Sequence, residues 1–494
     1  METLFINITW KDVLGNLPLI IFIVYAITII STLSAIILEK RDPVKTISWI
    51  LVILMIPIIG IIWYIVFGQN YRKQKIFTKK GFIDQQRIKN ICKTQMMLLD
   101  DENYLQDQAI YDKLNIIRLL INNSKSILTE YNHIEILNNG NATFRSFAEE
   151  LEKATDHIHL EFYRIEDDEI GNRIREILIR KARAGCKVRI IYDDVGSWHL
   201  TRRYISSLQD AGVSIFPFMA VRFPYLTSKA NFRNHRKILV IDGKLGFVGG
   251  LNIADKYLSG TRRFKFWRDT HLKIEGEAVG ALQAVFLIDW FFVSREYVSD
   301  KKRYLPEYKV PKRTLVQITA SGPDSDWSSI MQAFFMAITT ARKKIYISTP
   351  YFSPNESIMT ALITAALGGI DVRIILPQNS DSTMAYWLSV SYISDLLEAG
   401  IRVYLYKKGF THAKLLLVDG IFSTVGSANM DNRSFDLNFE VNAMIYNEEV
   451  TRALEQIYYE DLSHSTEITA RDWKKRPKRS RIKESFARVL GPLY

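Results

Sequence analysis

Cysteine is almost missing from this chain of 494 residues: Cys92 and Cys186 are the only two. Their scarcity excludes a disulfide framework and a cysteine-based zinc site, and it suits a reducing compartment. Histidine is scarce as well, with eight in all. A basic leader is also missing. The chain starts Met-Glu-Thr, and Lys11 is the one basic residue before the first apolar run. A cleaved signal peptide would need a basic start and a shorter apolar core.

Charge is absent over two long stretches, Leu17 to Leu38 and Ile47 to Phe67. Each is long enough to cross roughly 30 Å of hydrocarbon as a helix. Only EKRDPVKT lies between them, so a tight two-helix hairpin is expected within residues 1–70. Lys40, Arg41 and Lys45 lie in the connecting loop. Lys11, Arg72, Lys73, Lys75, Lys79 and Lys80 flank the outer ends. The larger basic count marks the cytoplasmic side, which puts the main body of the chain there, on a cell membrane. A re-entrant hairpin would leave that side unchanged.

Acidic residues are outnumbered, and the net charge is +12. Such a balance favours an anionic partner, either nucleic acid or an acidic lipid surface. The length suggests about three units. Residues 71–132 read as a polar connector near the membrane surface. From residue 133 short β-branched runs alternate with helical ones, which indicates an α/β class.

This α/β region repeats. AGCKVRIIYD and LQDAGVSIF in the first half match GGIDVRIILP and LLEAGIRVY in the second. Two duplicated half-domains are expected, residues 133–310 and 311–464, with helices on both faces of a sheet. Residues 465–494 form a basic tail. Its Trp473, Ile482, Phe486, Val489 and Leu490 suggest a helix lying on acidic lipid, a better fit than nucleic acid beside two apolar spans.

One phrase is written twice with identical spacing. His235-x-Lys237 is followed by Asp242, Gly249 and Asn252; His412-x-Lys414 is followed by Asp419, Gly426 and Asn429. Alternate residues of a strand share a face, so each histidine and its lysine point the same way. A cation beside an imidazole suits a phosphate diester: the lysine neutralises a non-bridging oxygen, and the imidazole attacks phosphorus or moves a proton. Two such half-sites can meet on a pseudo-two-fold axis. Asn252 and Asn429 can each donate to a phosphate oxygen.

Asp242 and Asp419 complete the catalytic phrase, although each precedes a glycine, and Asp-Gly is itself a turn signal, the favoured reading. A nucleophilic imidazole needs a carboxylate to orient it. Glu440, 28 residues after His412, is the candidate for that histidine, and Asp269 is the candidate in the first half. Neither a metal nor another cofactor is expected, because no carboxylate cluster suggests a metal site. Histidines 133, 157, 159, 199, 271 and 464 lack a partner motif and read as surface or core residues. Lys229, Arg233 and Arg236 could form a loop that meets anionic headgroups or a merely solvated one.

The doubled phrase resembles the phospholipase D superfamily. With the RDPVKTISWILVILMIPIIGIIWYIVFG hairpin, IHLEFY, YDDVGS, NFEVN and the terminal ESFARVLGPLY, the chain looks like bacterial cardiolipin synthases over nearly its whole length. That resemblance implies transfer of a phosphatidyl group between two phosphatidylglycerol molecules, releasing glycerol, through a phospho-histidine. It implies anionic phospholipids as partners and no nucleic acid. It also implies that Asn252, Asn429, Ser427, Glu440 and Asp269 serve the substrate site. The first half has Gly250 where the second has Ser427. Either histidine could attack, with His235 the preferred nucleophile and His412 acting as acid, then base. A lipase or nuclease with the same core and a non-catalytic membrane scaffold are the rival readings.

Overall fold

The computed structural model describes residues 17–38, 43–64, 85–101, 105, 108–221, 231–298, 300–308 and 310–491. It divides into two compact units: residues 1–70, 223–231 and 490–494, and residues 71–222 and 232–489.

In the first unit Leu17–Leu38 is one unbroken, largely exposed apolar helix. The second apolar run differs from the single helix expected over Ile47 to Phe67. It forms two helices, Pro43–Met55 and Pro57–Trp63, and residues 65–67 lie outside the described residues. Pro57 has no N–H to donate, and its ring clashes with the preceding turn. Ile56 leaves the helical region at φ −138° and ψ 72°. Gly60 then packs against the preceding helix, where a Cβ would come within 2.8 Å of the Val52 carbonyl oxygen. The run therefore folds back, with Trp49 and Tyr64 edge to face at 5.7 Å. Ile36 joins Trp49, Ile53 and Tyr64 in a small buried cluster.

The second unit is a mixed α/β fold built twice. The first half contributes β1 (Thr129–Asn138), β2 (His157–Phe162), β3 (Lys187–Asp193), β4 (Ser214–Phe218), β5 (Lys237–Ile241), β6 (Leu245–Gly249), the short β7 (Trp267–Arg268) and β8 (Thr270–Gly276). The second contributes β9 (Arg313–Ser321), β10 (Lys344–Ser348), the short β11 (Phe352–Ser353), β12 (Asp371–Pro377), β13 (Arg402–Tyr406), the short β14 (Phe410–Thr411), β15 (Leu415–Val418), β16 (Phe422–Gly426), the short β17 (Met430–Asp431), β18 (Glu440–Tyr446) and β19 (Ser465–Ile468).

Fifteen of these strands form one sheet, in the order β19-β13-β12-β10-β15-β16-β18-β9-β1-β8-β6-β5-β2-β3-β4. Read outward from the β1–β9 join, the halves run β1-β8-β6-β5-β2-β3-β4 and β9-β18-β16-β15-β10-β12-β13, the same order twice. The strands β2-β3-β4 and β10-β12-β13 are parallel and the inner ones antiparallel, and β19 adds an antiparallel edge to the second half.

Strand β5 is buried on both faces, which its unbroken apolar run anticipates. Ile238 and Val240 face a core shared by the two halves, whereas Leu239 and Ile241 face the first half's own core. The helices Glu277–Ser294 and Glu448–Ser463 cover the shared face through Ala278, Val279, Leu282, Val450, Leu454 and Tyr458. On the other side, the helix Glu169–Arg183 buries Ile170, Ile174, Ile177 and Leu178, one stripe at helical spacing.

Two expected boundaries move. Much of the stretch expected to be a membrane-surface connector is core. Helix Leu114–Ser124 buries Ile116, Ile117, Leu120 and Ile121 in the second half, and strand β1 begins at Thr129. Four buried apolar side chains on one helix face favour a protein partner over water. The tail also begins later, since residues 465–468 pair with β13. Trp473 packs against the second half's core and under Arg476 instead of pointing outward.

Candidate active site

Each histidine enters the site just before a strand and is pinned to the opposite half. The His235 N–H donates to the Phe439 carbonyl at 2.9 Å, and the His412 N–H donates to the Arg268 carbonyl at 2.7 Å. Phe439 precedes Glu440, and Arg268 precedes Asp269. The side chains follow the same exchange. His235 Nδ1 lies 3.0 Å from both Glu440 carboxylate oxygens. His412 Nδ1 lies 2.7 Å from Asp269 Oδ2. This reverses the pairing expected from the sequence, in which each carboxylate served the histidine of its own half. Proximity along the chain suggested that pairing, but the strands cross the pseudo-two-fold axis.

The two orienting carboxylates occupy equivalent places at the start of β18 and just before β8, in unequal surroundings. Glu440 also accepts from Ser427 Oγ and from Asn438 Nδ2 at 3.1 Å. Burial alone would raise its pKa, yet His235, Lys237 and Ser427 hold it below the ordinary carboxyl range. Asp269 accepts from its neighbour, Thr270 N–H, at 2.8 Å, and burial outweighs Lys414 to raise its pKa. Gly250 is where the second half has Ser427. A Cβ there would lie 2.1 Å from Asp269 Oδ1, so the glycine makes room for the carboxylate. Ser427 thus touches the orienting carboxylate through its hydroxyl.

Burial lowers both imidazoles. His235 falls to about 4 despite Glu440, and His412 falls well below the usual histidine value. Both are neutral at pH 7. Each donates from Nδ1 to its carboxylate and carries its lone pair on Nε2. The lysines are buried beside them. Lys414 Nζ donates to the His412 carbonyl at 2.6 Å, and Lys237 Nζ donates to the His235 carbonyl. Burial pushes Lys237 down to about 7 and Lys414 to about 8. Two lysines and two imidazoles in one buried site favour an anion between them.

Asn252 is already engaged: its Oδ1 accepts from Arg164 N–H at 3.1 Å and its Nδ2 donates to Tyr257 Oη at 2.7 Å. Asn429 keeps a buried Oδ1 without a partner.

Asp242 and Asp419 stand at the far ends of β5 and β15 from the lysines. At about 3.3 Å per residue they are more than 12 Å along the strand from Lys237 and Lys414. Both hold positive φ, 51° and 58°, in tight turns. Asp242 accepts from the backbone N–H groups of Thr155, Asp156 and His157. Asp419 accepts from those of Arg342, Lys343 and Lys344 and pairs with Lys113 at 2.7 Å. The turn reading, favoured from Asp-Gly, holds and their place in the catalytic phrase does not: their carboxylates fasten the segments that enter β2 and β10, the strands paired with β5 and β15.

The basic loop before His235 is corrected too. Arg233 is buried in an ion pair with Asp193, and Arg236 in one with Asp289; Lys229 lies outside the described residues. His157 and His159 are core residues bridged by Gln283. Sequence reasoning missed Tyr163, whose ring sits 5.2 Å from His235 and 5.5 Å from the Lys237 ammonium. It also missed Asn438, whose one signal was its place two residues before Glu440.

A family described as cardiolipin synthase, PLD-like domain, matches residues 147–279 and 334–462, one segment in each half. The chain belongs to this cardiolipin synthase family of the phospholipase D superfamily. Residues 20–69 match a second family, described as phospholipase D-nuclease N-terminal. The cardiolipin synthase of Geobacillus sp. (strain WCH70) is 44% identical over 99% of this chain and 96% of that protein. That of Listeria monocytogenes serotype 4b is 38% identical over 97% of this chain and 100% of its own. Among solved structures, the phosphatidylserine synthase of Haemophilus influenzae Rd KW20 superposes with a TM-score of 0.57 at 17% identity. It covers 77% of this chain and 98% of that one. That likeness concerns the fold alone.

Proposed function

We propose that the protein is a cardiolipin synthase that moves a phosphatidyl group from one phosphatidylglycerol to another. One observation carries the reading: two neutral imidazoles, each held at Nδ1 by a carboxylate of the opposite half, flank two buried lysines. His235 Nε2 attacks phosphorus, and the bond to the glycerol oxygen breaks. His412, neutral before substrate binds, takes up a proton on Nε2 from solvent as the anionic diester settles beside it, and gives that proton to the leaving oxygen. This leaves a phosphatidyl group on His235, and glycerol departs. A second phosphatidylglycerol then gives its hydroxyl proton to His412 while its oxygen attacks phosphorus. The phosphorus–nitrogen bond breaks, and cardiolipin leaves. Lys237 and Lys414 hold the charge that develops on phosphorus. The firmer hold on Glu440 favours His235 as nucleophile. Asn252, Asn429 and Ser427 act as lining and positioning groups of this site.

The same reading places residues 1–70 in the cell membrane, with Leu17–Leu38 as a span and Pro43–Trp63 as a bent apolar element. The two catalytic halves, beginning near residues 129 and 313, lie on the cytoplasmic side. The tail supports lipid contact through Ile482, Phe486 and Val489, exposed at helical spacing beside Lys478, Arg479, Arg481 and Lys483. Proteolysis of intact spheroplasts should spare the catalytic halves until the membrane is lysed; cleavage before lysis would reverse the orientation.

Product analysis with labelled phosphatidylglycerol tests the reaction. Cardiolipin and glycerol in equal amounts are expected, and phosphatidic acid as the main product would make the protein a hydrolase. A donor with a p-nitrophenol leaving group needs no proton to depart. With it, His412→Ala should give a burst and labelled protein, and His235→Ala should give neither. The opposite pattern would exchange the two roles.

A further inference from the structure

The site carries two cations that the phosphoryl chemistry leaves unused. Lys256 lies four residues after Asn252, and its ammonium sits 5.2 Å over the Tyr257 ring and 5.3 Å over the Trp267 ring. Both rings also face His412, at centroid distances of 6.1 and 5.5 Å. The Lys256 ammonium is therefore held at the His412 side of the site by two aromatic faces. Arg164 belongs to the same corner. Its N–H is tied to Asn252 Oδ1, and Asn252 in turn holds Tyr257 Oη. Glu166 takes Arg164 Nη1 at 3.0 Å. Among the described residues no carboxylate forms an ion pair with Lys256; Glu166, Asp381 and Asp168 act on it through space. Burial and the charge of Arg164 bring its pKa down to about 8. A cation placed against a second cation, over aromatic faces and in no ion pair among the described residues, suits an anionic ligand.

The doubled fold strengthens this assignment. Counting from the equivalent asparagines, Lys256 corresponds to Arg433, four residues after Asn429. The charge of Arg433 acts on Tyr163, the ring that packs on His235. Each histidine therefore has, besides the lysine of the doubled phrase, a second cation acting on an aromatic ring that packs against it.

We propose that Lys256 and Arg164 form a second phosphate subsite, which holds the phosphodiester of the acceptor phosphatidylglycerol while its hydroxyl reaches His412. The proposal rests on the transfer reaction above and extends it. The acceptor carries its own phosphate three carbons from the attacking oxygen; water and glycerol carry none. A cation beyond the general base can thus select lipid acceptor over either of them.

The test compares two acceptors with one donor. Wild-type protein, Lys256→Gln, Arg164→Gln and Lys256→Arg are assayed in mixed micelles for cardiolipin formation and for exchange of labelled glycerol into phosphatidylglycerol. Both reactions share the phosphatidyl-enzyme and differ in the phosphate on the acceptor. The ratio of cardiolipin formation to glycerol exchange is expected to fall at least about tenfold in the glutamine variants, the scale of one lost charge-assisted contact. The loss should be read in KM for the lipid acceptor, and Lys256→Arg should restore most of it. A ratio that stays constant, whether both rates fall together or neither changes, overturns the proposal. Inorganic phosphate distinguishes a lipid phosphate from a free one: competition against cardiolipin formation is expected, and stimulation of both reactions would overturn the assignment to lipid. If wild-type protein makes no cardiolipin, the transfer reading falls, and this subsite falls with it.

Discussion

Glu440 collects His235, Ser427 and Asn438 on one carboxylate, whereas among the described residues the Asp269 carboxylate accepts, besides His412, from the adjacent Thr270 N–H. The better-satisfied anion fixes its imidazole more firmly, and so Glu440→Gln should cost more than Asp269→Asn in formation of the phosphatidyl-enzyme. We expect a loss of about 10²–10⁴ for Glu440→Gln, the scale on which a misoriented imidazole fails. Single-turnover kinetics with the p-nitrophenol donor would read it. An equal loss in Asp269→Asn would remove the argument for His235 as nucleophile.

The same residues set a pH profile. A neutral His235 is required, so kcat/KM rises as pH climbs through about 4. Charged lysines are also required. Lys237 deprotonates at about 7 and Lys414 at about 8, so kcat/KM falls as pH rises through that range, and loss of the proton that His412 must donate adds to the same falling limb. Arginine stays protonated there, and Lys237→Arg should move the falling limb upward whatever it does to the maximum rate. An unmoved limb would assign it to the proton on His412.

Among the elements, the turns after β5 and β15 carry the most testable difference. Both are fastened by an aspartate at positive φ, yet only Asp419 is paired with a buried lysine, Lys113, of which 2% of the side chain is exposed. Asp419→Asn leaves that ammonium buried and unpaired, which costs about 3–5 kcal/mol. Asp242→Asn loses hydrogen bonds to backbone and a threonine, about 1–3 kcal/mol. Thermal denaturation in detergent should rank them in that order, and Lys113→Met should recover part of the Asp419→Asn loss. In either variant, the protein that remains folded should keep its catalytic rate. A rate loss without a stability loss would return these aspartates to the chemistry. The Lys113 contact also explains why a stretch that reads as a connector is core: its partner is 306 residues away, and no local pattern announces it.

Across the whole molecule, the β1–β9 join turns two half-sites into one. Each histidine is carried by one half and oriented by the other, within a single chain. Mixing His235→Ala protein with His412→Ala protein should therefore restore no cardiolipin formation. Recovery toward about a quarter of the wild-type rate in an equal mixture would mean that the halves exchange between chains. The join also explains the shared core under both halves: the helices Glu277–Ser294 and Glu448–Ser463 cover one face that neither half closes alone.

Much of this protein was settled by the sequence alone. Periodicity and internal repetition are local properties of the chain. They were enough to mark the apolar N-terminal runs, the duplicated α/β halves and the doubled His-Lys phrase. Pairings across the pseudo-two-fold axis were not legible, because a carboxylate 28 residues away on the same half and one 205 residues away on the other look alike in one dimension. Tertiary structure alone gave Glu440 to His235 and Asp269 to His412. It also buried Arg233 and Arg236 and bent the second apolar run at Pro57. Strand order fixed the first two results, and burial of charge fixed the third. The bend followed from one missing N–H, whose effect on an apolar run depended on how the chain packed around it.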